Sequence, residues 1–253
     1  MVQTPILMKT HLLFPLVASL ALAGCTVEPA PPATAPKPLP LPSSDFDTKA
    51  IYPSTSAQSD GTYLTVYAAL LAKDAFLKLG PTDALSVAVG DAPEQPLLSQ
   101  GQTYDPHFFA TVPAPKTKTD VTIFLRRAQG EVSKIALTVP SAFSVSGTPA
   151  SVHAGDKVSF GIAPEPVVDD GAWWIILEGP CADRLYMLAT FANGKLVFDG
   201  SGLKRAKNAA ASCAVTAKVQ HFYVGKADAA FQQPFFSDVV GLQEQRFAAT
   251  LAF

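Results

Sequence analysis

Residues 185–199 read LYMLATFANGKLVFD and carry the clearest fold signal in the sequence. Asn193-Gly194 separates two mostly apolar runs in this stretch. Asn-Gly is favoured in two-residue hairpin turns of type I′, because both turn positions require a positive φ angle. The sequence therefore predicts two antiparallel strands joined by a tight turn at Asn193-Gly194.

The same period of two continues through most of the chain after Phe46. Apolar residues alternate in several further runs, of which the clearest are Leu85/Val87/Val89, Val121/Ile123/Leu125 and Val158/Phe160/Ile162. Turn-forming pairs such as Gly80-Pro81 separate these runs. Short strands at this spacing are typical of antiparallel β-sandwiches, so we expect an all-β chain.

Three segments call for separate expectations. Ala68–Leu79 is rich in Ala and Leu and is compatible with a helix, but it follows an alternating run and we expect a strand. Leu203–Ala211 is helix-like and predicts one or two helical turns. At the end of the chain, Phe247, Ala249, Leu251 and Phe253 share one face of a predicted closing strand. We expect that face, including Phe253, to lie in the core.

The folded part is long enough for two sandwich domains. An immunoglobulin-like domain has about 100 residues. The segment Pro140–Pro149, which reads PSAFSVSGTP, has the composition of a connection between two domains. We therefore expect two antiparallel immunoglobulin-like β-sandwiches, at residues 46–143 and 144–253.

The N-terminus has the features of an export signal. Lys9 precedes the apolar run HLLFPLVASLALAG at residues 11–24, which is too short for a transmembrane helix and fits the apolar region of a signal peptide. The run ends in Leu22-Ala23-Gly24-Cys25, which resembles the lipobox of bacterial lipoproteins. The resemblance implies that residues 1–24 are removed and that Cys25 carries a diacylglycerol and an acylated amine. An ordinary signal peptide and an uncleaved anchor are the alternatives. Translation starts at Met1 or at Met8, and Met8-Lys9 is the more compact start.

The segment that follows predicts a spacer. Residues 25–45 contain a Pro-rich stretch, EPAPPATAPKPLPLPS at 28–43, which favours an extended polyproline conformation. A docking motif for a proline-reading module is the alternative. Thr26 stands where an Asp favours retention in the inner membrane of enterobacteria, so the resemblance implies the outer membrane. The expected location is thus the bacterial cell envelope, with the membrane as a partner through the lipid anchor.

Two cysteines remain once Cys25 is assigned to lipid. Cys181 and Cys213 would reach an oxidising compartment after export, and there we expect one disulfide between them. A metal-binding pair is the alternative, but the sequence has no C-x-x-C spacing to support it. We predict no metal site.

Aromatic doublets interrupt the alternation at Phe108-Phe109, Trp173-Trp174 and Phe235-Phe236. Neighbouring strand residues point to opposite faces, so one member of each pair should leave its own core. Trp173 and Trp174, which follow Asp169-Asp170-Gly171, are the candidate exposed contact for an envelope protein or a glycan. The alternative is that the second ring packs under a loop or at the domain junction.

Composition and motifs narrow the function classes. A formal charge of −2 argues against a nucleic-acid partner, which normally requires a basic surface. The sequence has no H-E-x-x-H, G-x-S-x-G or Walker motif, so we predict no catalytic residue and no cofactor. Strand content and lipobox together resemble bacterial lipoproteins with immunoglobulin-like domains, which implies a structural or adhesive binding role. A periplasmic or surface enzyme, or an enzyme accessory, on the same tether is the alternative.

Overall fold

The computed structural model describes residues 39–102, 105–164, 171–234 and 238–253. The strands of these residues are β1 (Leu41–Pro42), β2 (Tyr52–Ser59), β3 (Tyr63–Ala72), β4 (Ala75–Lys78), β5 (Ala84–Val89), β6 (Gln95–Pro96), β7 (Leu98–Gln102), β8 (Asp105–Pro113), β9 (Thr119–Arg126), β10 (Val132–Val139), β11 (Ser144–Ser146), β12 (Ser151–His153), β13 (Lys157–Ala163), β14 (Ala172–Gly179), β15 (Ala182–Ala192), β16 (Lys195–Asp199), β17 (Ser212–Val224), β18 (Lys226–Ala227) and β19 (Val239–Ala252). Short 3-10 turns lie at Ser43–Asp45, Thr48–Ala50, Ala128–Gly130 and Gly200–Gly202. None of the helices in this part of the chain could cross a bilayer.

The hairpin that the sequence predicts at Asn193-Gly194 is confirmed. β15 and β16 pair antiparallel, and Ala192 lies opposite Lys195 across the turn. Asn193 has a φ of 53° and Gly194 a φ of 73°, as a type I′ turn requires.

One large sheet contains strands from both halves of the described chain, and its main path is β1-β4-β3-β2-β19-β17-β14-β15-β16-β13-β11. β8 branches from this path by pairing with β3 and β7, and β12 branches from it by pairing with β19. β19 lies near its middle and pairs antiparallel with β17 along its length. On its other side, Val239–Gln243 pairs in parallel with β2, and Thr250–Ala252 pairs in parallel with β12. The predicted closing strand is therefore an internal strand with neighbours on both sides.

A second sheet, β18-β10-β9-β5-β6, covers the first half of the large sheet. The apolar faces of the two sheets enclose a first core, whose large buried members include Leu64, Leu70, Phe108, Ile123, Leu125, Ile135 and Leu137. β10 crosses β19 at Gly241. A Cβ atom at Gly241 would lie only 2.0 Å from the Thr138 carbonyl oxygen, so this crossing requires a glycine.

The second half of the large sheet curves around a second core. Phe160 on β13 and Phe247 on β19 meet edge to face at 5.5 Å, although four strands lie between β13 and β19 in the sheet. Other members of this core include Trp173, Ile175, Leu177, Leu196, Phe198, Val219 and Leu251. The predicted all-β class, with apolar strand faces packed around buried cores, is thus confirmed.

Segments outside the predicted first domain, residues 46–143, contribute to the first core. Leu41–Pro42 pairs with Leu77–Lys78, and the Ser43 side chain is buried, so the folded part begins before Phe46. Phe231 and Val239 also lie in the first core, and β18 pairs with β10. The chain therefore returns to the first core after it has built most of the second.

Two local predictions are wrong, and a third is confirmed. Leu203–Ala211 forms no helix, because Asn208 has a φ of 63° and the Ala206 N–H donates to the Cys181 carbonyl instead of a helical partner. Phe253 is 37% exposed, since β19 ends at Ala252 and the Phe253 N–H donates to the Ala211 carbonyl. Ala68–Leu79 forms the end of β3 and then β4, as expected.

Candidate binding surface

The two tryptophans of β14 point to opposite faces of the large sheet. Trp173 is only 5% exposed and belongs to the second core. Its ring stacks on His221 at 4.1 Å and meets Phe143 edge to face at 5.0 Å. The prediction of an exposed contact is therefore wrong for Trp173, because the period of two directs this residue inward.

Trp174 lies on the outer face among further apolar side chains. Its ring lies 4.7 Å from that of Phe222 on β17 and 5.9 Å from that of Tyr186 on β15. Leu188 is directly opposite Trp174 in the β14–β15 register. Tyr186 is 52% exposed and Leu188 is 67% exposed. We call Trp174, Tyr186, Leu188 and Phe222 the aromatic surface.

The strand register explains how these side chains meet. Tyr186 lies opposite Ile176, and Phe222 lies opposite Ala172, so residues from three adjacent strands share one outer face. Ile176 belongs to this face and yet is only 1% exposed. The larger neighbouring side chains thus form a layer over it, in which aromatic rings contact each other edge to face or tilted.

Paired polar groups border the aromatic surface. Gln220 lies opposite Trp174, and its Nε2 donates to Glu244 Oε2 at 2.7 Å. Arg246 Nε donates to the other oxygen of Glu244 at 2.6 Å, and Lys218 Nζ lies 2.8 Å from Glu178 Oε2. Both bordering cations are therefore paired with a carboxylate. This border favours ligands held by apolar contacts and neutral hydrogen bonds.

The predicted disulfide is confirmed between Cys181 and Cys213, whose Cα atoms lie 5.7 Å apart. Cys181 immediately precedes β15, and Cys213 lies on β17. Since β14 lies between these strands in the sheet, the disulfide links the two flanking strands of the aromatic surface. It fixes the start of the strand that carries Tyr186 and Leu188.

The other aromatic doublets do not add to this surface. Phe108 is buried in the first core, and its neighbour Phe109 is half-buried on the other face of β8, opposite exposed Leu98. Phe235-Phe236 lies outside the described residues. Asp169-Asp170 and the predicted lipidation site Cys25 also lie outside them.

A polar cavity of about 360 Å³ lies at the start of the folded part. Arg127 lines it, donates to the Phe46 carbonyl at 2.7 Å and lies 3.7 Å from Asp83. The Ser43 hydroxyl donates to the same Asp83 carboxylate at 2.6 Å. These bonds attach the start of the folded part to the second sheet. They indicate a structural role for the polar side chains that line the cavity. Within the described ranges, no three His, Cys, Asp or Glu side chains are grouped to hold a metal ion.

Local bonds lower the pKa values of Asp60 and Glu94, two of the carboxylates beside strand ends. The backbone N–H groups of Tyr63 and Thr62 hold the pKa of Asp60 below its ordinary range. Hydrogen bonds from Arg126, and then from Ser86, lower the pKa of Glu94. Both shifts arise from bonds that fix a turn or a loop, which is a structural cause.

Sequence reasoning missed Tyr186, Leu188 and Phe222. The run LYMLATFA is apolar at both odd and even positions, so its pattern does not show which face is buried. The available signal was the absence of any charge between Leu185 and Ala192.

No protein-family model matches the sequence, and no curated protein matches it. Similar solved structures include the Ig1-2 module of the Drosophila receptor protein tyrosine phosphatase DLAR, at 11% identity and TM-score 0.26 over 80% of this chain and 97% of that chain. The tandem V-type regions of VCBP3 match at 13% identity and TM-score 0.23, over 81% and 100%. Fibronectin(III)-like modules of Clostridium thermocellum CbhA match at 9% identity and TM-score 0.24, over 80% and 93%.

Proposed function

We propose that this chain is a lipid-anchored protein of the bacterial cell envelope that binds an envelope protein or glycan through the aromatic surface. The observation that carries the proposal is the cluster of Trp174, Tyr186 and Phe222 on the outer face, beside highly exposed Leu188. Exposed apolar clusters with a polar border are characteristic of interaction sites.

The predicted lipid anchor at Cys25 supports the proposed location in the cell envelope. Cys25 follows Leu22-Ala23-Gly24, and the described fold starts with strand β1 at Leu41. The intervening residues 26–40 would span about 45 Å if extended as polyproline, at about 3.1 Å per residue. A spacer of this length leaves the folded part free to reach partners away from the acyl chains.

The chemistry of the surface supports binding. Aromatic residues dominate the energetics of interfaces because they bury much area with little loss of conformational freedom. The bordering side chains Gln220, Glu244, Arg246 and Lys218 are engaged in hydrogen bonds or ion pairs. They can orient a ligand around the aromatic rings.

The test compares full-length variants purified from detergent-solubilised envelopes of the native host. Tyr186→Ala and Trp174→Ala should each weaken partner binding at least about fivefold, since a central aromatic contact typically contributes more than about 1 kcal/mol. Leu98→Ala, which removes a comparably exposed side chain on β7, should retain the partner.

Tyr186 is the decisive position because it is exposed, so its truncation leaves the fold intact. Circular dichroism of each variant verifies this. Unchanged partner recovery with Tyr186→Ala and Trp174→Ala, both folded, would overturn the proposed binding surface.

A further inference from the structure

A cavity of about 540 Å³ lies beside the turn between β3 and β4 and the start of β2. Tyr52 and Leu71, which lie opposite each other in the β2–β3 register, form part of its wall. Ala50 and Ala72 also line it, so most of this wall is hydrocarbon or aromatic ring. The volume falls within the range of about 300–1,000 Å³ that is typical of small-molecule sites, which are mostly apolar with a few polar groups.

Three polar side chains, Lys73, Asp74 and Gln232, complete the lining and are exposed. The Lys73 ammonium lies 5.9 Å from the centre of the Phe46 ring, but within the described ranges it forms no ion pair or hydrogen bond. The Asp74 carboxylate likewise has no hydrogen-bond or ion-pair partner among the described residues. A cation and a carboxylate that no described neighbour neutralises thus lie next to each other at the cavity.

Lys73 and Asp74 form a two-residue turn in a conformation that is unfavourable for their side chains. Their φ angles are 50° and 62°, so both residues lie in the left-handed region that a type I′ turn requires. The chain builds a turn of the same kind at Asn193-Gly194, from the pair that such turns favour. The charged pair is therefore held at a conformational cost, and strained residues of this kind are concentrated at binding and catalytic sites.

Hydrogen bonds attach the opposite wall of the cavity to the first core. The Gln232 N–H donates to the Ile51 carbonyl at 3.0 Å, and Phe231 beside it is buried in that core. Ile51 is itself fully buried, and the hydroxyl of the adjacent Tyr52 donates to Asp238. The apolar wall is thus preformed, which reduces the ordering that a ligand must impose when it binds.

We propose that this cavity binds a small zwitterion with an apolar body. The anionic group of the ligand pairs with Lys73, its ammonium group pairs with Asp74, and its apolar part lies against Tyr52 and Leu71. Two kinds of molecule carry these three groups: an aminophospholipid, and a free amino acid with a large apolar side chain. The site is separate from the aromatic surface, because β19 lies between β2 and β17 in the sheet.

The two charges together select a zwitterion over a singly charged ligand. An anion bound to Lys73 lies beside the Asp74 carboxylate, and like charges at short distance repel each other. A cation bound to Asp74 is opposed by the Lys73 ammonium in the same way. A molecule that carries both charges forms two favourable pairs and leaves neither side chain opposed.

The decisive variant is the double substitution Lys73→Asn with Asp74→Gly. It builds this turn from the pair found at residues 193–194, and it removes both charges from the cavity. The variant should unfold at a higher urea concentration than wild type, because the strain of the turn is relieved. It should also lose ligand binding, and its higher stability separates that loss from a failure to fold.

Isothermal titration calorimetry of the full-length chain in a non-ionic detergent measures binding. The two probes are L-phenylalanine and lysophosphatidylethanolamine with a hexanoyl chain. Singly charged analogues accompany them: N-acetyl-phenylalanine, phenylalaninamide and the corresponding lysophosphatidylglycerol. Lys204→Asn is the matched control, because it removes an exposed lysine that does not line the cavity.

At least one zwitterion should bind wild type and Lys204→Asn equally, and its singly charged analogues should bind at least about tenfold more weakly. Phenylalanine binding identifies a free amino acid as the ligand, and lysolipid binding identifies an aminophospholipid. Either result supports the inference if the Asn-Gly variant does not bind.

No binding by either zwitterion, or equal binding by a singly charged analogue, would overturn the inference. An Asn-Gly variant that binds as well as wild type, or that is no more stable, would also overturn it. None of these variants alters the aromatic surface, so the proposed function is judged separately from partner recovery with Tyr186→Ala.

Discussion

Substitution of Gly241 by alanine should destabilise the protein at the crossing of β10 and β19. A Cβ at this position would lie 2.0 Å from the Thr138 oxygen, 2.6 Å from the Thr138 carbonyl carbon and 3.1 Å from the Val139 nitrogen. All three are backbone atoms of β10, so no side-chain rotation relieves the overlap. One of the two strands must move by about 1 Å to restore van der Waals contact.

The expected cost follows from the packing of both sheets. Overpacking of a well-packed core typically costs 1–3 kcal/mol, occasionally more. Displacement of β19 also affects its pairing with β2, because Gly241 lies opposite Ala57 in the parallel register. We therefore expect Gly241→Ala to lower the free energy of unfolding by about 3 kcal/mol.

Urea denaturation of the fragment 37–253, followed by circular dichroism, measures this loss. Gly202→Ala is the matched control, because a Cβ there would meet nothing within 4 Å. It should change stability by less than about 0.5 kcal/mol. Equal unfolding midpoints for Gly241→Ala and Gly202→Ala would refute the close crossing of β10 over β19.

Three further predictions concern the disulfide, the Asp60 carboxylate and the lipidation of Cys25. Cys213→Ser should lower the unfolding free energy by about 2–5 kcal/mol in non-reducing urea titrations, and an unchanged midpoint would contradict a structural disulfide. The lowered pKa of Asp60 adds stability that is present above about pH 4 and is lost as pH falls through the folded-state pKa. Melting temperatures from pH 5 to 3 should therefore decline less for Asp60→Asn than for wild type, and parallel declines would refute this. Cys25→Ser should abolish labelling by radioactive palmitate, and normal labelling would exclude this lipidation site.

The sequence was most informative where pattern and turn chemistry agree. The Asn193-Gly194 hairpin follows from two residues whose positive φ angles fit one turn type. The disulfide follows because Cys181 and Cys213 are the cysteines left after Cys25. These features depend on local chemistry, which a single sequence displays.

Features that depend on long-range register were not predictable. β19 was expected to close the second sandwich, but it pairs with β2 and β12 on the side opposite β17. Parallel neighbours of this kind are far apart in sequence and leave no turn signal. The exposure of Tyr186 and Leu188 likewise depends on which face of β15 meets the core, and both faces are apolar in sequence.

Site-specific photocross-linking in the native host shows whether the aromatic surface contacts a partner. A benzophenone amino acid replaces Tyr186 in the lipidated full-length chain, and a control carries it at Tyr63, which is 56% exposed on β3. Binding through the aromatic surface predicts a discrete cross-linked partner from position 186 and none from position 63. Absence of a cross-link at 186, or the same products from both positions, would contradict a binding role for the aromatic surface.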